Sequence, residues 1–135
     1  MTRSSSGRNE PAVLAAIAGG GALGGLCRYG VLLLIPVGPN GFPWATFWTN
    51  ISGSLLLGAL LTTASNRFPS SRYIHPFFAT GLLGSYTTFS TFAVEVDLLS
   101  VGDAPAIAAI YCAASLVAGL AAAWIGMLLG RLLTE

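Results

Sequence analysis

Lysine is absent from this chain, and charge of either sign is scarce. Six arginines and five acids make up 8% of 135 residues. A soluble domain carries roughly a quarter charged residues. So little charge cannot cover a globular surface, and lipid is the expected solvent. The formal net charge of +1 offers no basic face to nucleic acid. The only two cysteines, Cys27 and Cys112, both lie in apolar runs. They form no disulfide framework and no metal-ligand spacing, and are read as small core residues. The single histidine, His75, precedes Pro76 and is expected in a loop. No serine–histidine–acid set, metal cluster or phosphate loop occurs, so the chain is not expected to be an enzyme.

What is present is apolar sequence, 54% of the chain. A crossing helix needs about 20 mostly apolar residues. After a polar tail over residues 1–10, expected to be disordered, four runs meet that length and fill a single domain over 11–135. They extend from about Pro11 to Val37, Trp44 to Ala64, Tyr73 to Leu99 and Ala106 to Leu129. The first is too long for the apolar part of a signal peptide and is followed by further spans. Pro36, Gly38, Pro39, Asn40, Gly41 and Pro43 separate the first two runs. Asn66, Arg67, Pro69, Ser70, Ser71 and Arg72 separate the next two. Gly102, Asp103 and Pro105 precede the last, with Pro105 placed for the first turn of a helix. The expected fold is all-α and integral to a membrane, with four crossings. Arg3, Arg8, Arg67, Arg72 and Arg131 then fall on one side, and only Asp97 and Asp103 on the other. The positive-inside rule puts both termini in the cytoplasm.

Each span carries polar or small residues at helical spacing. Gly20 and Gly24, Gly21 and Gly25, and Gly126 and Gly130 are each four apart, which suits close helix packing. Thr46, Asn50, Ser54 and Gly58 form one stripe on the second span, and Tyr111, Ser115 and Gly119 one on the fourth. Interhelical hydrogen bonding is the plain reading of these stripes; a polar pathway is the sharper one. Arg28, inside the first span, either snorkels or stands at an aqueous vestibule. The densest signal is the third span. Gly81 and Gly84 precede Thr87-Thr88, and Phe89, Ser90, Thr91, Phe92 and Glu95 follow. Glycine and β-branched residues weaken a helix, so a break is expected near the middle of this span. A broken membrane helix frees carbonyls that can hold a cation. Phe89 and Phe92, three apart, are by spacing alone lipid-facing or core rings; flanked by Thr88, Ser90 and Thr91, their positive ring edges could instead meet a small anion without a full charge to trap it.

The pattern Gly81-x-x-Gly84-x-x-Thr87-Thr88-Phe89-Ser90-Thr91-Phe92-x-x-Glu95 resembles the signature of the CrcB/Fluc fluoride channels. The glycine-rich stretch ending in Arg28-Tyr29 looks like that family's first helix, and Thr49 to Gly58 like its second. The resemblance covers about Gly19 to Leu129. It implies a passive fluoride exit path through an antiparallel, dual-topology dimer in the cell membrane, with two pores along the subunit interface. By position, Phe89 and Phe92 would be the ring-edge phenylalanines and Asn50 the amide donor to fluoride. Ser90, Thr91, Tyr111 and Ser115 would line the polar track beside Thr88. Gly84 and Thr87 would offer carbonyls to a structural sodium ion (Na+) at the dimer axis. Arg28 would be the vestibule cation and Glu95 the late acid. Two positions depart from the family pattern: Ser85 stands where many relatives have glycine, and Gly119 where the fourth-helix track often continues with a hydroxyl.

The one-sided arginines fit a subunit of fixed orientation. A fixed orientation points to an oppositely oriented paralogue as partner; a second copy, giving a homodimer, would have to insert the other way up. Two other readings compete. A small proton-coupled drug/cation antiporter also uses about four short helices, but needs a membrane-embedded carboxylate in its first span, and none is present. A non-transporting assembly subunit would have no need of Asn50, Phe89 and Phe92.

Overall fold

Proline sets most of the helix boundaries. The computed structural model describes residues 10–36, 41–67 and 71–135. Helix α1 spans Glu10–Leu34 and stops short of Pro36, which disfavours helical geometry in the residue before it. Helix α2, Trp44–Arg67, starts directly after Pro43. The last helix, Pro105–Leu132, carries its proline in the first turn, as expected for a residue with no N–H to leave unpaired. Residues 1–9, with Arg3 and Arg8, lie outside the described residues, as do Val37, Gly38, Pro39, Asn40, Pro69 and Ser70. The expectation of a disordered tail therefore stands untouched except at Glu10, which opens α1.

The third apolar run is helical in three pieces. A π-helical segment, His75–Leu83, runs into a single turn, α3, Gly84–Tyr86. After an extended step at Thr87 and Thr88, helix α4 covers Phe89–Val101, and Pro105–Leu132 is α5. All regular structure among the described residues is helical. His75 is not in a loop: it opens the π-helical segment, with Pro76 in the first turn. Wide turns of this kind are rare and usually brief, and nothing in the one-dimensional pattern marks them.

The break falls later than its glycines suggest, and the reason is packing. A Cβ on Gly81 would sit 2.5 Å from the Ile17 carbonyl oxygen. Reciprocally, a Cβ on Gly20 or Gly24 would run into the carbonyls of Phe77 or Leu82. These glycines bring α1 and the π-helical segment into backbone contact, and the chain stays helical through them. Gly25, by contrast, meets nothing within 4 Å, so one of the expected small-residue pairs is only half used. The same device joins α2 to α5. A Cβ on Gly58 would strike Ala123, one on Gly126 would strike Leu55, and one on Gly130 would lie 2.7 Å from the Ala59 carbonyl oxygen.

The packing partners follow. α2 lies along α5, and α1 lies along the π-helical segment and α3. α4 turns away from α1 and packs on α5. The break lets the third run serve two helix pairs, its first half on α1 and its second on α5.

Large apolar side chains cover the outside, among them Leu26, Leu34, Val117, Leu120 and Leu132. An outward apolar surface of this kind suits lipid, not water. Among the described residues, α1 and α5 are long and apolar enough to cross a membrane. α2 has the length, 24 residues, but spends many positions on Thr, Ser and Asn. Cys27 is exposed and Cys112 half-buried, which corrects the expectation of two core thiols: Cys27 lies on the outward side of α1.

Candidate functional site: a cleft at the helix break

The break is built by two threonines and an amide. Thr87 leaves the helix at φ −78°, ψ 159°, and Thr88 is extended at φ −149°, ψ 123°. β-branched residues fit such backbone geometry better than a helix. The Thr87 hydroxyl donates back to the Leu83 carbonyl at 2.9 Å, closing off the turn behind it. The Thr88 hydroxyl accepts from the Thr91 N–H at 3.2 Å and so caps α4.

Asn50 on α2 satisfies the backbone in between. The Thr88 N–H donates to Asn50 Oδ1 at 2.8 Å, and Asn50 Nδ2 donates to the Thr88 carbonyl at 2.9 Å. In a continuous helix the Thr88 N–H would go to the Gly84 carbonyl. Here Asn50 diverts it, and the Gly84 carbonyl loses its helical donor. One N–H of the Asn50 amide is left over.

A cleft of about 320 Å³ opens beside this junction. Asn50, Ser54, Thr87, Thr88 and Ser115 supply its polar lining, and Gly84 lies at the start of the broken stretch within it. Leu57, Leu83 and Leu116 make the apolar walls, with the rings of Phe89 and Phe92. The two rings are 5.9 Å apart and tilted at 41°. Phe89 is 80% exposed and projects from the cleft, whereas Phe92 packs on Tyr111 at 5.1 Å. The Ser115 hydroxyl is buried and has no hydrogen-bond partner. Buried polar atoms are rarely left unpaired, and among the described residues this hydroxyl is the buried side-chain oxygen without a partner.

A second polar cluster sits behind the first. The Tyr111 hydroxyl donates to Glu95 Oε2 at 2.7 Å, and the Thr46 hydroxyl to Glu95 Oε1 at 2.8 Å. Tyr111 is fully buried, its ring held edge-on by Phe42 at 5.2 Å. Glu95 is half-buried with a hydroxyl donor on each oxygen.

The structure thus gathers Asn50, Phe89, Phe92 and Ser115 on one cleft with Gly84, Thr87 and Thr88. It places Ser90, Thr91 and Tyr111 off the cleft lining. The Ser90 and Thr91 hydroxyls connect to the cleft through Thr88, at 3.3 Å and 3.0 Å. Arg28 is half-buried on α1 and also off the lining. Ser85 turns toward α1, its hydroxyl 3.2 Å from where a Gly21 Cβ would be. Gly119 does line the cleft, so the hydroxyls contributed by α5 stop at Ser115. Sequence reasoning missed Gly53 and Tyr86, which meet the break from α2 and α3. The Asn50-x-x-Gly53 spacing, one helical turn, is the signal that pointed there.

An apolar helical chain that buries its amide and hydroxyl groups around one broken helix is a membrane protein. A profile described as CrcB-like protein, Camphor Resistance (CrcB), matches residues 15–127. The chain belongs to the CrcB family. Its relatives include "Fluoride-specific ion channel FluC 2" of Streptomyces avermitilis, 41% identical over 84% of this chain and 72% of the relative. "Fluoride-specific ion channel FluC 3" of the same organism is 46% identical over 93% of this chain and 61% of its own length. "Fluoride-specific ion channel FluC" of Agrobacterium fabrum is 42% identical over 87% and 95%. These names are those of channels and not of enzymes, in keeping with the reading of the sequence.

Proposed function

We propose that this chain is a subunit of a passive, fluoride-selective channel that lets F− leave the cytoplasm and so confers fluoride resistance. The observation that carries the reading is the clamp of Asn50 on Thr88, which opens a helix inside an apolar protein beside a cleft lined by an amide, hydroxyls and two phenyl rings. The names of the relatives support the identity of the ion. Fluoride is small and holds its water tightly. A path for it must replace that water with donors, yet bind weakly enough for release. The spare Asn50 N–H and the Ser115 hydroxyl are such donors, and the edges of Phe89 and Phe92 add positive rims without a fixed charge.

The four apolar segments cross the cell membrane as a multi-pass protein, both termini in the cytoplasm where the partner is a paralogue. The functional unit is a dimer of antiparallel subunits, formed with a second copy or with an oppositely oriented paralogue. Two pores run along the subunit interface. The open cleft and the 80% exposure of Phe89 favour this, because the ring has no cover within one chain. Ser90, Thr91 and Tyr111 extend the track on either side of the ring pair. Arg28 gathers anions at the vestibule, and Glu95 anchors Tyr111.

Gly84 and Thr87 fit a structural sodium ion. The diverted Thr88 N–H leaves the Gly84 carbonyl without its helical donor, both residues lie on the cleft, and carbonyl oxygens are hard ligands suited to such a cation. Two carbonyls per chain make a partial shell that an antiparallel partner would complete. The antiporter reading finds no support, since α1 carries no carboxylate beyond its first residue, Glu10.

The test uses purified protein in liposomes loaded with potassium fluoride and a fluoride electrode outside. Wild-type vesicles should release fluoride when potassium is carried out by an ionophore, and vesicles loaded with chloride, followed with a chloride electrode, should release it far more slowly. Retention of fluoride by wild-type vesicles, or equal release of both halides, contradicts the reading. The same vesicles decide the partner: release from this chain purified alone makes a homodimer sufficient.

A further inference from the structure

Three consecutive residues at the break, 86, 87 and 88, are each met by α2. Asn50 holds the Thr88 backbone. The Thr87 methyl fills the space over Gly53, where any Cβ would collide with it. The Tyr86 ring lies over the same glycine, 3.3 Å from the place of that Cβ. Its hydroxyl reaches round the helix to Ser52 Oγ at 2.9 Å. Ser52 has one proton, and two carbonyls of its own helix stand ready to accept it, Trp48 at 2.7 Å and Thr49 at 3.2 Å. The tyrosine is therefore the donor, and a buttressed acceptor fixes where the ring must lie.

We propose that Tyr86 is a positioning residue: by crossing Gly53 to Ser52 it sets the backbone at Thr87–Thr88, and through that backbone the spacing of donors that tells fluoride from a larger halide. The inference rests on the fluoride-channel reading above. Asn50 ties Thr88 to α2, whereas the bond from the Thr87 hydroxyl to the Leu83 carbonyl ties the other end of the step only to its own turn. The Tyr86 tether lies two residues earlier, on the far side of the extended step, and the two fixed points leave Thr87 no freedom between them. Neither Tyr86 nor Ser52 lines the cleft, so neither touches the ion. Their influence acts through the backbone alone. Discrimination between halides of different radius requires a rigid spacing, because a loose ring of donors adapts to either ion.

The test compares fluoride and chloride release from liposomes holding wild type, Tyr86→Phe, Ser52→Ala and the double variant. Tyr86→Phe keeps the ring over Gly53 and removes only the hydroxyl, so assembly and elution volume should be unchanged. Loss of one hydrogen bond should lower the fluoride-over-chloride ratio roughly five-fold. Ser52→Ala should do the same, and the double variant no more than either. A purely structural contact would lower thermal stability and leave the ratio fixed. An unchanged ratio in Tyr86→Phe, with wild type conducting fluoride, overturns the proposal and leaves the channel reading intact. Wild-type vesicles that release no fluoride overturn both. Should Ser52→Ala fail to fold, Tyr86→Phe alone decides.

Discussion

Tyr111 and Glu95, 16 residues apart on neighbouring helices, are joined by a hydrogen bond of 2.7 Å from the tyrosine hydroxyl to the carboxylate. The bond holds the Tyr111 ring against Phe92, one of the two rings at the cleft. Glu95 thereby positions the aromatic wall from behind. Tyr111→Phe should retain the ring stack and lose the anchor. A cost of about 0.5–3 kcal/mol in stability is expected for a hydrogen bond to a carboxyl oxygen, measured as a lowered melting temperature in detergent. Thr46→Val should act on the same carboxylate, and the paired variant should cost less than the sum of the two.

Asn50 uses one acceptor and one donor on Thr88, and the two can be separated. Asn50→Asp keeps the acceptor for the Thr88 N–H and sets a carboxylate oxygen against the Thr88 carbonyl. Fluoride release should fall about ten-fold or more, the effect of one lost donor plus a repulsive contact. Asn50→Leu leaves both Thr88 groups unpaired and should destabilise the protein by about 2–4 kcal/mol. If Asn50→Asp releases fluoride at the wild-type rate, the amide is not part of the path.

Phe89 and Phe92 should part company in stability and agree in function. Phe92 packs on Tyr111 at 5.1 Å, so Phe92→Ile should cost about 1 kcal/mol of aromatic packing. Phe89 is 80% exposed within the chain, and Phe89→Ile should leave the stability of the isolated subunit nearly unchanged. Both should reduce fluoride release in liposomes. A Phe89→Ile protein that conducts normally would assign that ring to lipid.

Sodium should stabilise the assembly if the Gly84 and Thr87 carbonyls bind it. A ligand bound only by the folded form raises stability with concentration. Exchange of sodium for N-methylglucamine should lower the melting temperature of the wild type. The shift should shrink in an Asn50→Leu protein, where nothing holds the Thr88 backbone in its extended step beside Gly84. A melting temperature indifferent to the cation removes sodium from the account.

Helix existence was legible because proline and glycine interrupt the apolar runs at Pro36, Pro43 and Pro105. That α5 packs closely through Gly126 and Gly130 was legible from their spacing, but not that α2 is the helix it meets. The location of the break was less so. Gly81 resembles a helix breaker in one dimension, but its missing side chain is used against Ile17, and the chain opens only where Asn50 competes for the Thr88 N–H. That competition spans 38 residues and leaves no local trace. Tyr111 and Ser115 share a face by spacing, yet Tyr111 turns to Glu95, off the cleft lining, while Ser115 stays unpaired at the cleft. Periodicity assigns a face; it does not say which partner waits on it.

The central claim is tested most directly by a reversal potential in a planar bilayer, with fluoride on one side and chloride on the other. The account predicts a current carried by fluoride alone, reversing far toward the fluoride equilibrium potential. A reversal near zero, with both halides passing, would contradict it.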